Sequence, residues 1–135
     1  MRKFMLDTNI CIYTIKNKPE SLRPIFNAHD GQMCVSRITH MELVYGAERS
    51  AAPAKNLAVV ESFLARLDVL DFDQAASEQA AQIRAELGKK GAPIGPYDAL
   101  IAGHARSLGL TVVTNNTREF ERVAGLRIVD WAVSA

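Results

Sequence analysis

The chain has 135 residues, 48% of them hydrophobic and 23% charged, with a formal net charge of +1. This balance is ordinary for one soluble globular domain with a real core, and the net charge neither marks nor excludes a nucleic-acid binder, since a local basic patch can hide in a balanced total. No apolar run approaches the roughly 20 residues of a membrane span and no long apolar signal region is present, so a cytoplasmic protein without membrane contact is expected.

A short apolar run, Phe4 to Leu6, reads as a buried strand. Asp7, Thr8 and Asn9 follow as small polar residues suited to a helix N-cap, and Ile10 to Ile15 continue as a helix. Asn17 to Glu20 is a break, after which a short helix carries Leu22, Ile25 and Phe26. His29 to Gln32 is a turn, and Met33 to Val35 is a second strand. Ser36 caps a helix running to about Arg49, with Ile38, Met41 and Tyr45 as its apolar stripe. The next helix, Lys55 to Leu67, presents Val60, Phe63, Leu64 and Leu67. Val69 to Phe72 is a third strand, and Asp73 caps a long helix with Ala76, Ala80, Ile83 and Leu87 on one face, stopped by Gly88. Lys89 to Pro96 is a Gly/Pro-rich loop, and Tyr97-Asp98 opens a helix ending at Gly109. Leu110 to Val113 is a fourth strand, Arg118 to Val123 a helical turn and Leu126 to Val129 an edge strand. Strands alternate with helices throughout. The expectation is a single α/β domain over residues 1–135, with a central parallel sheet of about four to five strands and helices on both faces. Cys11 and Cys34 lie in apolar surroundings and read as reduced core thiols.

Three acids occupy positions that ordinary surface charge does not explain. Asp7 follows the first strand, where α/β sheets place ligands. Glu42 stands four residues after Ile38 and three before Tyr45, on or beside the apolar stripe. Asp98 opens a helix after the Gly/Pro loop. Each has a simpler reading: Asp7 as a cap, Glu42 in a capping box with Thr39, and Asp98 as a partner of the helix dipole. Taken together, carboxylates from three elements would repel one another, a conflict that a hard divalent cation resolves. Such an ion would polarise a phosphate and activate water for in-line attack. Thr114, Asn116 and Glu119, just after the fourth strand, are candidates for a fourth group, although an Asn-rich turn satisfying its own backbone fits equally well. His29, His40 and His104 are scattered and read as surface or packing residues.

These stretches resemble the motifs of a PIN-domain ribonuclease, and more closely those of VapC toxins of type II toxin–antitoxin pairs. The opening motif is Leu6-Asp7-Thr8-Asn9; the second runs from Ser36 through Glu42-Leu43 to Gly46; the third is Tyr97 to Ala102 with His104-Ala105; the fourth is Val113 to Asn116. The resemblance implies that Asp7, Glu42 and Asp98 bind Mg²⁺ or Mn²⁺ in an endoribonuclease site. It also implies a small VapB-like antitoxin as partner and a homodimer. A fourth acid common in that family is replaced here by Asn116, with Glu119 as its substitute, which puts a second metal in doubt. The run Ile15 to Pro19 is similar to enterobacterial-type members that cut initiator tRNA in its anticodon stem-loop. On this reading Asp7, Glu42, Asp98, Asn116 and Glu119 are the catalytic set, supported by Thr8, Asn9 and Thr114.

RNA needs cations near the acids, and Lys89, Lys90 and Arg118, with Lys16, Lys18 and Arg122, are candidates for a basic rim. Tyr13, Tyr45 and Tyr97 offer flat faces for bases, with core packing an equal explanation for each. Two rival readings stand. An aspartyl phosphotransferase would use Asp7 as nucleophile, but it wants an acid where Asn9 stands. A catalytically silent RNA- or partner-binding module fits the absent fourth acid.

Overall fold

The computed structural model describes residues 1–132, so the last three residues of the expected 1–135 domain lie outside it. In chain order it forms β1 (Phe4–Leu6), α1 (Thr8–Lys16), α2 (Leu22–Ala28), β2 (Met33–Ser36), α3 (Arg37–Glu48) and α4 (Pro53–Leu64). Next come β3 (Asp68–Leu70), α5 (Gln74–Lys89), α6 (Pro96–Leu108), β4 (Thr111–Val113), α7 (Thr117–Phe120) and β5 (Ile128–Val129). The five strands make one parallel sheet in the order β3-β2-β1-β4-β5. No helix among the described residues is long and apolar enough to cross a membrane.

Alternation along the central strands sends their side chains into two cores. Leu6, Val35 and Val113 join Ile10, Leu22, Phe26, Leu43, Val60 and Phe63 on the face covered by α1 to α4. Met5, Cys34 and Val112 join Ile83, Leu87, Ile101, Leu110 and Phe120 on the face covered by α5 to α7. Helices therefore cover both faces, and the near-continuous apolar runs of the central strands follow from burial on both sides. Cys11 and Cys34 are buried free thiols, one in each core.

Several boundaries and one face differ from the sequence expectation. The helix expected from Lys55 starts at Pro53, whose missing N–H costs nothing at a first helical position. The third strand is Asp68–Leu70 because Leu70 pairs with Ser36, the last residue of β2, and pairing stops where α3 begins. Gly88 does not end α5. The left-handed residue is Gly91, at φ +67°, and a helical Gly costs only about 1 kcal/mol relative to Ala. The buried face of α3 is Thr39, Leu43 and Ala47, whereas Met41 and Tyr45 are exposed. Sequence spacing permits both stripes on one helix, and packing against the sheet selects the first.

α6 approaches α5 through small residues. A Cβ on Gly103 would lie 2.5 Å from the Ala80 backbone nitrogen and 2.6 Å from its Cα. Gly103→Ala is therefore expected to destabilise by about 1–3 kcal/mol, as overpacked cores do, read as a lower Tm. Ala80→Gly should not rescue it, because the obstruction is backbone; full rescue would show that the helices separate freely.

Candidate active site

The chain runs from β1 outward through β2 to β3, then returns to add β4 on the other side of β1. The carboxyl ends of β1 and β4 thus flank the crevice where the strand order reverses, the usual ligand site in open α/β sheets. Leu6 pairs with Val113, so the next residues, Asp7 and Thr114, emerge side by side, and the Asp7 N–H donates to the Val113 carbonyl at 3.0 Å.

Asp7 caps α1: its Oδ1 accepts from the Ile10 N–H at 2.9 Å, and the residue is 2% exposed. Burial raises its pKa to about 6, opposed by the Thr114 hydroxyl and the Ile10 N–H and assisted by the charges of Glu42 and Asp130. The simpler capping reading is thus correct but incomplete, since a cap alone has no need of burial among acids. Glu42 is no capping-box residue. Ser36 caps α3 by accepting from the Ile38 N–H at 3.1 Å, and Glu42 Oε1 instead accepts from the Thr8 hydroxyl at 2.6 Å. The Thr39 hydroxyl lies 3.3 Å from that of Thr8.

Asp98, in the first turn of α6, meets the fourth group. Asn116 Nδ2 donates to Glu119 Oε2 at 2.6 Å and lies 3.4 Å from Asp98 Oδ2; Glu119 Oε1 accepts from the Gly95 N–H at 3.1 Å. Burial raises the Asp98 pKa to about 7, with further upward contributions from a hydrogen bond to Glu119 and the charges of Glu119, Asp7 and Glu42. Glu119 moves down, chiefly through that same hydrogen bond. Of the two, Asp98 is therefore the one that keeps its proton to higher pH. Thr114, fully buried, accepts from the Asn116 N–H at 2.9 Å and shapes this turn.

His104 is a packing residue, as expected. It is buried on α6 with Nδ1 2.8 Å from Ser36 Oγ, and burial lowers its pKa. That contact ties α6 to the start of α3 and so fixes the helix carrying Asp98 relative to the one carrying Glu42.

The structure therefore gathers Asp7, Glu42, Asp98, Asn116 and Glu119 with Thr8 and Thr114 at one end of the sheet. Asn9 is exposed on the wall of an adjoining cleft of about 520 Å³, which is also lined by Thr8, Ile12, Met41, Glu42, Tyr45 and Tyr97. Lys89 and Lys90, at the exposed end of α5, and Arg118, exposed on α7, make no hydrogen bond or ion pair to these acids among the described residues. Asp130, just after β5, accepts from the Ala132 N–H at 2.8 Å. It also adds charge near Asp7, a role visible only once β5 is paired with β4. Among the described residues no three His, Cys, Asp or Glu side chains form a ready-made cation cage.

A PIN-domain family model matches residues 4–126. The tRNA(fMet)-specific endonuclease VapC of Shigella flexneri is 64% identical over 132 residues, which is 98% of this chain and 100% of that protein. The chain belongs to the VapC family of PIN-domain ribonucleases. The Salmonella typhimurium protein described by the same words is 65% identical over 97% of this chain and 99% of its own length. A chain from the crystal structure of DNA-bound VapBC from Salmonella typhimurium superposes with a TM-score of 0.93 at 65% identity, covering 97% of this chain and 99% of that one.

Proposed function

We propose that the chain, as one domain, is the toxin of a VapBC-type pair: a metal-dependent endoribonuclease that cuts initiator tRNA in its anticodon stem-loop. Relatives 64–65% identical are named tRNA(fMet)-specific endonucleases over essentially the full length, which supports the substrate. The observation that carries the chemistry is the charge conflict at the end of the sheet. Asp7 and Asp98 are both held above the ordinary carboxylate range, at about 6 and about 7, by burial and by neighbouring acids. That donor set fits a hard divalent cation. Mg²⁺ is usually held by one or two carboxylates, keeping its waters and taking substrate phosphate oxygens, so a three-acid cage is not required.

Asp7 and Asp98 would hold Mg²⁺ or Mn²⁺, with Glu42 beside them. When bound, the ion supplies Lewis-acid polarisation of the phosphate and activation of water. Thr8 fixes the Glu42 carboxylate. Thr114 and Asn116 hold the turn that presents Glu119 beside Asp98. Lys89, Lys90 and Arg118 supply long-range attraction for the RNA backbone rather than contacts within the site. The same reading gives the protein a VapB-like antitoxin, a homodimeric state and a cytoplasmic address beside its substrate. The phosphotransferase alternative loses ground because Asp7 is buried with one oxygen bound to the Ile10 N–H.

The test is incubation of the purified protein with a tRNA pool, with Mg²⁺ or Mn²⁺ and with a chelator. Discrete metal-dependent cuts, absent in Asp7→Asn and Asp98→Asn, are expected. Equal cutting by wild type and both variants would refute the assignment.

A further inference from the structure

Large apolar side chains exposed singly are ordinary; their clustering is not. Six are exposed among the described residues, and three of them, Met41 (39%), Tyr45 (60%) and Tyr97 (47%), line the cleft that shares Glu42 with the acids. Neither the Tyr45 nor the Tyr97 hydroxyl is hydrogen-bonded among the described residues, in contrast to Tyr13, whose hydroxyl accepts from Asn115 at 3.2 Å. A cation lies against one of these rings, the Arg49 guanidinium carbon being 5.8 Å from the centroid of Tyr45. Lys16 lines the groove that continues from the cleft past Ile12 and Glu42. Flat π faces with cations beside them are how single-stranded RNA is held: bases stack on the rings while positive charge follows the phosphates.

We propose that Tyr45 and Tyr97 line a seat for one unstacked base of the RNA, in a nucleotide next to the phosphate presented to the acids. The proposal rests on the ribonuclease reading. It assigns the two rings to positioning and substrate choice, with no part in bond breaking. Tyr45 projects from α3, which carries Glu42, and Tyr97 precedes Asp98 on α6, so a base seated here is in register with the acids. An RNA base suits this cleft better than a peptide because the exposed groups are rings and cations beside a site built for phosphate.

The test uses Asp7→Asn protein, which leaves RNA uncut, and an anticodon stem-loop RNA with 2-aminopurine placed at each loop position in turn. One position should be quenched on binding. Tyr45→Leu and Tyr97→Leu, which keep apolar bulk without a flat ring, should each weaken binding roughly tenfold or more and remove the quenching. Tyr45→Phe and Tyr97→Phe should retain both. Unchanged affinity in the Leu variants would overturn the base seat, and loss of antitoxin binding without loss of RNA affinity would reassign the cleft to a peptide. Metal-dependent cutting of the stem-loop by wild type is measured alongside. Cutting with unaffected Leu variants defeats only the base seat, whereas neither cutting nor binding defeats the ribonuclease reading as well.

Discussion

Asp7→Asn should abolish metal-dependent cleavage and, at the same time, make the metal-free protein more resistant to heat at neutral pH. Both effects have one cause. Asp7 is 2% exposed, and its carboxyl is pushed from 3.8 up to about 6. A folded-state pKa above the unfolded value means that the native state binds the extra proton. The stability this gives is complete below about pH 4 and is lost as pH rises through about 6. At pH 7.5 the full cost of a buried charge is present, on the order of 3 kcal/mol for a shift of this size. Asparagine keeps the cap, since its side-chain oxygen can still accept from the Ile10 N–H, but carries no charge. Thermal unfolding of metal-free protein should give Asp7→Asn a higher Tm than wild type at pH 7.5 and an equal one near pH 4. Adding Mg²⁺ should raise the wild-type Tm at pH 7.5 and leave the variant nearly unmoved. An equal Tm difference at both pH values would show that packing, and not charge, separates the two proteins. The residue the reaction needs most is thus one the empty fold would be more stable without, a common bargain at functional sites.

The sequence makes some of this site legible and hides the rest for identifiable reasons. Asp7 is readable because a three-residue apolar strand runs straight into capping residues, a purely local signal. Asp98 is readable because the Gly/Pro loop before α6 announces a helix start. Glu42 is harder. Helical spacing places it beside an apolar stripe, yet two stripes satisfy that spacing, and only docking on the sheet decides that Thr39, Leu43 and Ala47 face inward. Met41 and Tyr45, read as the apolar stripe with a base-stacking role left open for Tyr45, are cleft wall. The Thr8–Glu42 hydrogen bond spans 34 positions and the His104–Ser36 contact 68, so no local pattern announces either. Both are consequences of strand order. The positions of Lys89, Lys90 and Arg118 show the opposite limit: sequence supplies the charges, but their distance from the acids is fixed by where α5 and α7 end.

Glu119→Gln should move the acid limb of the activity profile to lower pH, beyond any effect on its height. In the wild type Asp98 holds a proton up to about pH 7, first because it is buried, then because it donates to Glu119, and then because Glu119, Asp7 and Glu42 are negative around it. Glu119 is kept charged by that hydrogen bond and by the Gly95 N–H and Asn116 amide that donate to it. A cation requires Asp98 in its charged form, so at subsaturating Mg²⁺ kcat/KM should fall by about tenfold per pH unit below about 7, as a single required base dictates. Replacing Glu119 by the neutral, nearly isosteric glutamine removes the largest single charge acting on Asp98. The limb should then shift downward by roughly one pH unit, the scale of one close like-charge interaction. Asn116→Asp should do the reverse. The side-chain donor that the two carboxylates share would become a third acceptor, 2.6 Å from one and 3.4 Å from the other, pushing the Asp98 limb upward at low metal. The two variants separate the roles open to Glu119. If it acted only as a direct holder of the cation, Glu119→Gln would lower the whole profile without moving its midpoint. A midpoint that moves down in Glu119→Gln and up in Asn116→Asp identifies the pair as a proton store whose set point the Asn116 turn controls.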